Sequence, residues 1–266
     1  MSQDPASGEP RPEGAAAEAT PPKTSKESAE PAAKPAELTP GQAIKPEHIK
    51  RWGPRWSRRV GWVLAKVLWN TKVIGAKNIP KSGRVLIAAN HTGIIDGPLL
   101  HGVIPRSSHI IIKEEIFNVF FIGFLMRWAG QIPVDRKNGR AALLTALAML
   151  NEDRLVGVFP EGSRGAGDVK STKAGIAWLA VRSGAPVVPV AILGTRPPGR
   201  KAGHVPGPRT KLHVVYGKPF MASDPDAGTG RSAVSQAMGV IQERTSDHVR
   251  RASEQTGVPL HSATEI

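Results

Sequence analysis

Short apolar runs recur along this chain, separated by stretches with helical spacing. Residues 84–89, 109–113, 155–159, 187–193 and 211–216 are brief, rich in Val, Ile and Leu, and bounded by turn formers. Runs of that length and composition predict buried strands. Apolar residues at three- and four-residue intervals predict helices over 98–103, 140–150, 173–182 and 232–251, the third stopped by Gly184. Strands alternating with helices imply an α/β fold with a mixed, largely parallel central sheet flanked by helices. Pro186 and Pro189 disturb this pattern. Each removes a ladder donor, so their strand is expected to be irregular or near a sheet edge, a purely structural feature.

Two segments fit neither pattern. Residues 49–69 hold four of the six tryptophans and six Lys or Arg residues. From Val60 onward their apolar positions read as a helix too short to span a bilayer. Trp suits the headgroup level, and Arg and Lys can keep their stems in the apolar layer. The segment is read as a basic, amphipathic, membrane-interface helix; the alternative is a helix packed on its own domain. Residues 116–126 carry four of the six phenylalanines and are apolar nearly all round. Such a segment is expected in the core, or else facing lipid or an acyl chain.

Charge sharpens the division. Formal net charge is +14; residues 1–45 hold seven acids and five bases, so residues 46–266 carry +16. The first 45 residues are rich in Pro, Ala and Glu and nearly devoid of large apolar side chains. They are expected to form a disordered tail. The organisation read from the chain is this tail, an interfacial helix over 46–70, an α/β domain over 71–255 and a C-terminal tail over 256–266. A body so basic seeks polyanions, either nucleic acid or anionic lipid. The N-terminus shows no basic, then apolar, signal-peptide pattern, and no apolar run reaches the ~20 residues of a transmembrane helix. There is no cysteine, which excludes disulfides, thiolate-ligated metals and a Cys nucleophile.

Candidate chemistry gathers where strands end. Asn90-His91-Thr92-Gly93-Ile94-Ile95-Asp96 follows the first strand directly. Five residues of regular helix would rotate His91 and Asp96 about 140° apart, so they can meet only across a turn, which Gly93 permits. A carboxylate on one imidazole nitrogen fixes the tautomer and leaves the other nitrogen as a general base. One His and one Asp could equally cap a helix or sit on a surface. Gly130 to Lys137 ends an apolar run in a basic pair, and Phe159-Pro160-Glu161-Gly162-Ser163-Arg164 ends another in a Gly turn. Arg136 and Arg164 could grip a phosphate, or be solvated surface charges.

Taken together, four segments resemble the glycerolipid acyltransferase family, the 1-acylglycerol-3-phosphate acyltransferase-like proteins. They are Asn90-His91 with Asp96; Gly130, Ile132, Val134, Asp135 and Arg136; Phe159 to Arg164; and Val188-Pro189-Val190, in the family's order. The resemblance covers roughly residues 70–220. It implies that His91 deprotonates an acceptor hydroxyl and that Asp96 orients His91. It implies that Arg136, Glu161, Gly162, Ser163 and Arg164 bind the acceptor phosphate. The donor implied is acyl-CoA or acyl carrier protein, the acceptor a lysophospholipid, and no metal or other cofactor is involved. The expected setting is peripheral, on the cytoplasmic face of a membrane with anionic lipids, in phospholipid biosynthesis. The family often places Gln or Arg and then Ser after the motif His; Thr92 and Gly93 stand there instead, which bears on the acceptor. A glycolipid or glycerol 3-phosphate is an alternative acceptor. A serine-type lipid hydrolase is a rival, because residues 161–165 nearly match Gly-x-Ser-x-Gly. Nucleic-acid binding has only the charge in its favour, with no recognised motif and a single Tyr.

Overall fold

The structure, a computed structural model, describes residues 45–135, 139–162, 164, 166–201, 203–224, 226 and 228–260. The tail expected over 1–45 therefore lies outside the described residues except for Lys45. The elements in order are α1 (Gly53–Val63), continued by a wider π-helical segment over Leu64–Leu68, then β1 (Asn70–Ile74), β2 (Val85–Ala89), α2 (Asp96–Val103), β3 (Ser108–Lys113) and α3 (Glu114–Phe117). There follow α4 (Phe120–Trp128), β4 (Ile132–Val134), α5 (Arg140–Asn151), β5 (Leu155–Val158), α6 (Ala174–Ser183), β6 (Val187–Leu193), β7 (Lys211–Tyr216) and α7 (Arg231–Thr256).

The seven strands form one mixed sheet in the order β1-β7-β6-β2-β5-β3-β4. β6, β2, β5, β3 and β4 run parallel, while β7 is antiparallel to β6 and β1 follows β7. All five residues of β2 are buried, as a strand covered on both faces should be. Its pleat sorts them. Leu86 and Ala88 face a core shared with α5, α6 and α7, while Val85, Ile87 and Ala89 face Leu99, Leu100 and Val103 of α2. The C-terminal ends of β2, β4, β5 and β6 consequently open at the same edge of the sheet. Ligand-binding loops of such sheets collect there.

Three details depart from the sequence reading. β6 lies in the sheet interior, not near an edge, yet it contains Pro189. On its β7 side, Val187 exchanges hydrogen bonds with Phe220, and Pro189 accepts only from Gly217 N–H, at 2.8 Å. The β6–β7 ladder begins at Val190, so the donor that Pro189 lacks falls just outside it and the pairing there is irregular. The polar run forming β1 escaped notice because it pairs on one side only. Finally, only Phe117 and Gly123 of α3 and α4 are buried. The core placement expected for residues 116–126 does not hold, because uniform apolarity cannot tell an enclosed helix from an outward-facing one.

α1 docks through small residues. Gly53, Ser57, Gly61 and Ala65, four residues apart, are buried. A Cβ on Gly102 of α2 would fall 2.8 Å from the Gly61 Cα, so the two helices cross nearly backbone to backbone. Ser57 Oγ and His101 Nε2 lie 2.8 Å apart, and His101 Nδ1 lies 2.9 Å from Ser108 Oγ, which ties α1 through α2 to β3. The face beside this stripe leaves Val60, Val63, Leu64 and Val67 between 38% and 65% exposed. This inverts ordinary amphipathicity: small residues face the domain and large apolar ones face out.

Candidate active site

β2 ends in a clamp. Asn90 Nδ2 donates to Ile192 O (3.1 Å) and its Oδ1 accepts from Ile192 N–H (2.7 Å), pinning the strand end to β6. His91 leaves the sheet immediately after this clamp. The chain then turns, and α2 starts at Asp96 itself. Across that turn His91 Nδ1 and Asp96 Oδ2 are 2.9 Å apart. The same oxygen accepts from Thr92 N–H (2.7 Å) and Gly93 N–H (2.8 Å). A carboxylate only accepts, so Nδ1 carries the proton and Nε2 presents a free lone pair. Asp96 is fully buried, while the His91 side chain keeps 18% exposure. This is the geometry of a base held by an orienting carboxylate.

The turn after β5 packs on this pair. Phe159 stacks on the His91 ring at 4.3 Å between centroids, and Glu161 Oε1 accepts from His91 N–H at 3.2 Å. Gly162 closes the turn with φ of 68°, donating to Phe159 O at 3.0 Å; a left-handed residue here favours Gly. Arg164 is half-buried in the same loop. Farther on, Gly167 (φ 74°) lies so close to Thr92 and Asn90 that a Cβ would strike the Thr92 methyl. Val169, a β-branched residue with φ of 55°, is buried against Ala191, Leu193 and Val249. That conformation is strained and persists only where the surroundings over-determine it. Here Ser246 Oγ donates to Asp168 O (2.8 Å) and Gln242 Nε2 to Lys170 O (2.7 Å), fastening the loop to α7.

Of the residues singled out in the sequence, His91, Asp96, Glu161, Gly162 and Arg164 meet at this sheet edge. Arg136 and Ser163 lie outside the described residues; Asp135, beside the former, follows β4 at the same edge. Glu161 is only 9% exposed and bonded to the His91 main chain, a position from which it steadies the base. Asn90, Phe159, Gly167 and Thr195 also build the site. Thr92 Oγ1 and Thr195 Oγ1 are 3.1 Å apart, and a Cβ on Gly93 would lie 3.1 Å from the same Thr195 hydroxyl. Thr92 and Gly93 are thus fitted to the Thr195 that follows β6. These partners are as far as 103 residues away in the chain, so no local pattern announces them. Among the described residues, no three His, Asp or Glu side chains converge to hold a metal. The next helix among the described residues after Gly162, α6, begins only at Ala174, whereas a serine-hydrolase elbow leads from strand directly into helix.

Burial pushes the Glu161 carboxyl from 4.5 up to about 7; the His91 N–H opposes this, Asp168 and Asp96 reinforce it, and the Gly167 N–H opposes it. Its folded value exceeds its unfolded one, so the folded state holds a proton that the unfolded chain releases. Stability from this group is full below pH 4.5 and is lost as pH rises toward 7. The loss amounts to at most about 3 kcal/mol. Glu161→Gln abolishes this titration, so melting temperatures of wild type and variant should draw apart between pH 5 and 7.5 as only the wild type weakens. His101 and His109, lowered to about 4 mainly by burial, titrate in both proteins and cancel in the difference. A difference flat across that range would remove Glu161 from the titration.

Comparison with known proteins gives this geometry its family. A family model described as Acyltransferase matches residues 70–193. A 1-acyl-sn-glycerol-3-phosphate acyltransferase of Bacillus subtilis (strain 168) is 30% identical over 164 residues, 61% of this chain and 79% of that protein. A protein of the same description from Borreliella burgdorferi is 31% identical over 127 residues, 46% of this chain and 51% of that one. The crystal structure of the 1-acyl-sn-glycerophosphate (LPA) acyltransferase PlsC from Thermotoga maritima superposes with a TM-score of 0.60 at 24% identity, covering 79% of this chain and 81% of that one. This last likeness shows the shared fold. The His91–Asp96 pair, the turn that packs on it and the extent of the sequence match lead to one conclusion: this chain belongs to the acyltransferase family.

Proposed function

We propose that the protein transfers a fatty acyl group from a thioester donor to the free hydroxyl of a 1-acylglycerol-3-phosphate, a step of phospholipid biosynthesis. The observation that carries this is the His91 Nδ1–Asp96 contact of 2.9 Å, on an imidazole that keeps 18% exposure. His91 Nε2 takes the acceptor hydroxyl proton as the oxygen attacks the thioester carbonyl. Asp96 balances the imidazolium that forms. Collapse of the tetrahedral intermediate breaks the C–S bond, and the proton returns from Nε2 to the departing thiolate. The new bond is the ester, and the free thiol is the second product. The donor is acyl-CoA or acyl carrier protein. Ile94, 45% exposed between base and carboxylate, offers an apolar wall to an acyl chain.

Arg136 and Arg164 are assigned to the acceptor phosphate on the strength of the family motifs. Arg136→Ala should raise the acceptor KM at least tenfold, since a charge-assisted contact to phosphate contributes about 1.5–3 kcal/mol in ground state and transition state alike. The control is a monoacylglycerol acceptor, which lacks the phosphate and should be used equally poorly by both enzymes. Equal KM values for the phosphorylated acceptor would take Arg136 out of the site.

Peripheral attachment to an anionic membrane surface completes the reading. Its support is the outward apolar stripe of α1 together with its charge. No helix among the described residues is long and apolar enough to cross a bilayer. Between Glu47 and Asp96 the chain holds ten Lys or Arg residues and no acid.

A further inference from the structure

α4 presents a second large apolar surface. Phe120, Phe124 and Trp128 recur every four residues and are 93%, 56% and 43% exposed; Phe121, beside them, is 72% exposed. Phe and Trp carry the largest apolar area of any side chains, and a chain in water gains nothing by displaying four of them on nine residues of helix. Their helix is firmly seated, not hanging loose. A Cβ on Gly123 would overlap the Phe117 carbonyl. Arg127 covers the Phe117 ring at 5.9 Å.

The patch joins the one on α1. Trp128, at the end of α4, meets Trp52, just before α1, edge to face with 5.4 Å between ring centroids, and Phe124 lies 5.5 Å from Trp128. Trp52 is itself 46% exposed. Aromatic contacts therefore run from Phe124 through Trp128 to Trp52 at the start of α1; farther along, Trp62 of α1 and Val67 of the segment that continues it are 49% and 65% exposed. Arg55 and Arg59 of α1 and Arg127 of α4 lie exposed along the same course. Bulky apolar groups fringed by arginine suit one occupant, an anionic bilayer, with rings below the headgroups and guanidinium groups at the phosphates.

We infer that α4 is a membrane-inserting element, with Phe120 and Phe121 as its deepest point, joined through the Trp52–Trp128 contact to the α1 stripe in one bilayer-binding surface. This rests on the peripheral-membrane reading above and adds the element that penetrates. α3 and α4 lead the chain from the C-terminal end of β3, the sheet edge where the His91 site opens, back to the start of β4, so the start of this crossover lies toward the site.

The test uses the full-length protein and sedimentation with vesicles of phosphatidylglycerol and phosphatidylcholine. Phe120→Ser/Phe121→Ser should weaken vesicle partitioning on the order of a hundredfold, as expected when two phenyl rings lose their apolar transfer. Its melting temperature without lipid should match the wild type, since both side chains are solvent-facing. Trp128 fluorescence, followed in a variant with the other five tryptophans replaced by Phe, should be quenched by brominated acyl chains. A double variant that binds like wild type, while Val63→Ser/Val67→Ser loses binding, overturns the role of α4 and leaves the α1 reading standing. Failure of the wild type to bind any vesicle overturns both. A lipid-free wild-type dimer that the Phe120/Phe121 substitutions dissociate also overturns the inference, assigning the patch to a second copy of the chain.

Discussion

His91→Ala is expected to reduce acyl transfer on the order of 10²–10⁴-fold while leaving the fold in place. The side chain is anchored by one contact to Asp96 and one stacked ring. The His91 side chain keeps 18% exposure, so the melting temperature should move by no more than a few degrees. Asp96→Asn should lose comparable activity for another reason. An amide can turn its NH2 toward His91 Nδ1 and so select the wrong tautomer, taking the lone pair away from the acceptor. Asp96 also accepts from two main-chain N–H groups and is fully buried, so its loss should cost about 1–3 kcal/mol of stability as well. Rate loss without unfolding at His91, and rate loss with destabilisation at Asp96, is the signature of a base and its buried orienter. A His91→Ala enzyme with near-normal turnover would place the base elsewhere.

Gly102→Ala should be strongly destabilising. The new Cβ would overlap the Gly61 main chain, and the helices must part to admit it. Overpacking of this kind costs about 1–3 kcal/mol, or roughly 2–10 °C in melting temperature. Parting α1 from α2 also strains the Ser57–His101 contact of 2.8 Å. Because α2 opens with Asp96, a shift of that helix reaches the catalytic pair, and kcat should fall with stability. Gly239 of α7 gives the contrast, since a Cβ there meets nothing within 4 Å. Gly239→Ala should stabilise by about 0.5–1 kcal/mol through helix propensity alone, with activity unchanged. Equal thermal shifts for the two variants would show that the Gly61–Gly102 crossing is not tight.

Much of this was legible in the sequence, for identifiable reasons. The strands now seen over Val85–Ala89, Leu155–Val158 and Val187–Leu193 are continuous apolar runs, and burial on two faces writes that pattern directly. The rotation argument for His91 and Asp96 anticipated a turn between them, and Asp96 N–H indeed donates to Gly93 O at 3.4 Å. Local spacing carried no trace of the supports. Asn90 reaches 102 residues forward to Ile192, and Glu161 reaches 70 residues back to His91. The outward face of α4 was hidden for another reason: a helix apolar on all sides carries no signal of which side is covered. Of the two expectations for Pro189, the irregular pairing is present on its β7 side, while the edge position is not.

The central claim is transfer of an acyl group from a thioester to a lysophospholipid hydroxyl with His91 as base. Its most direct measurement is thiol release from palmitoyl-CoA, and from palmitoyl carrier protein, in the presence of lysophosphatidic acid. The chain has no cysteine, so a colorimetric thiol reagent sees only the product. The account predicts release that requires the acceptor and disappears in His91→Ala. Release that persists without His91, or no release with either donor, would contradict it.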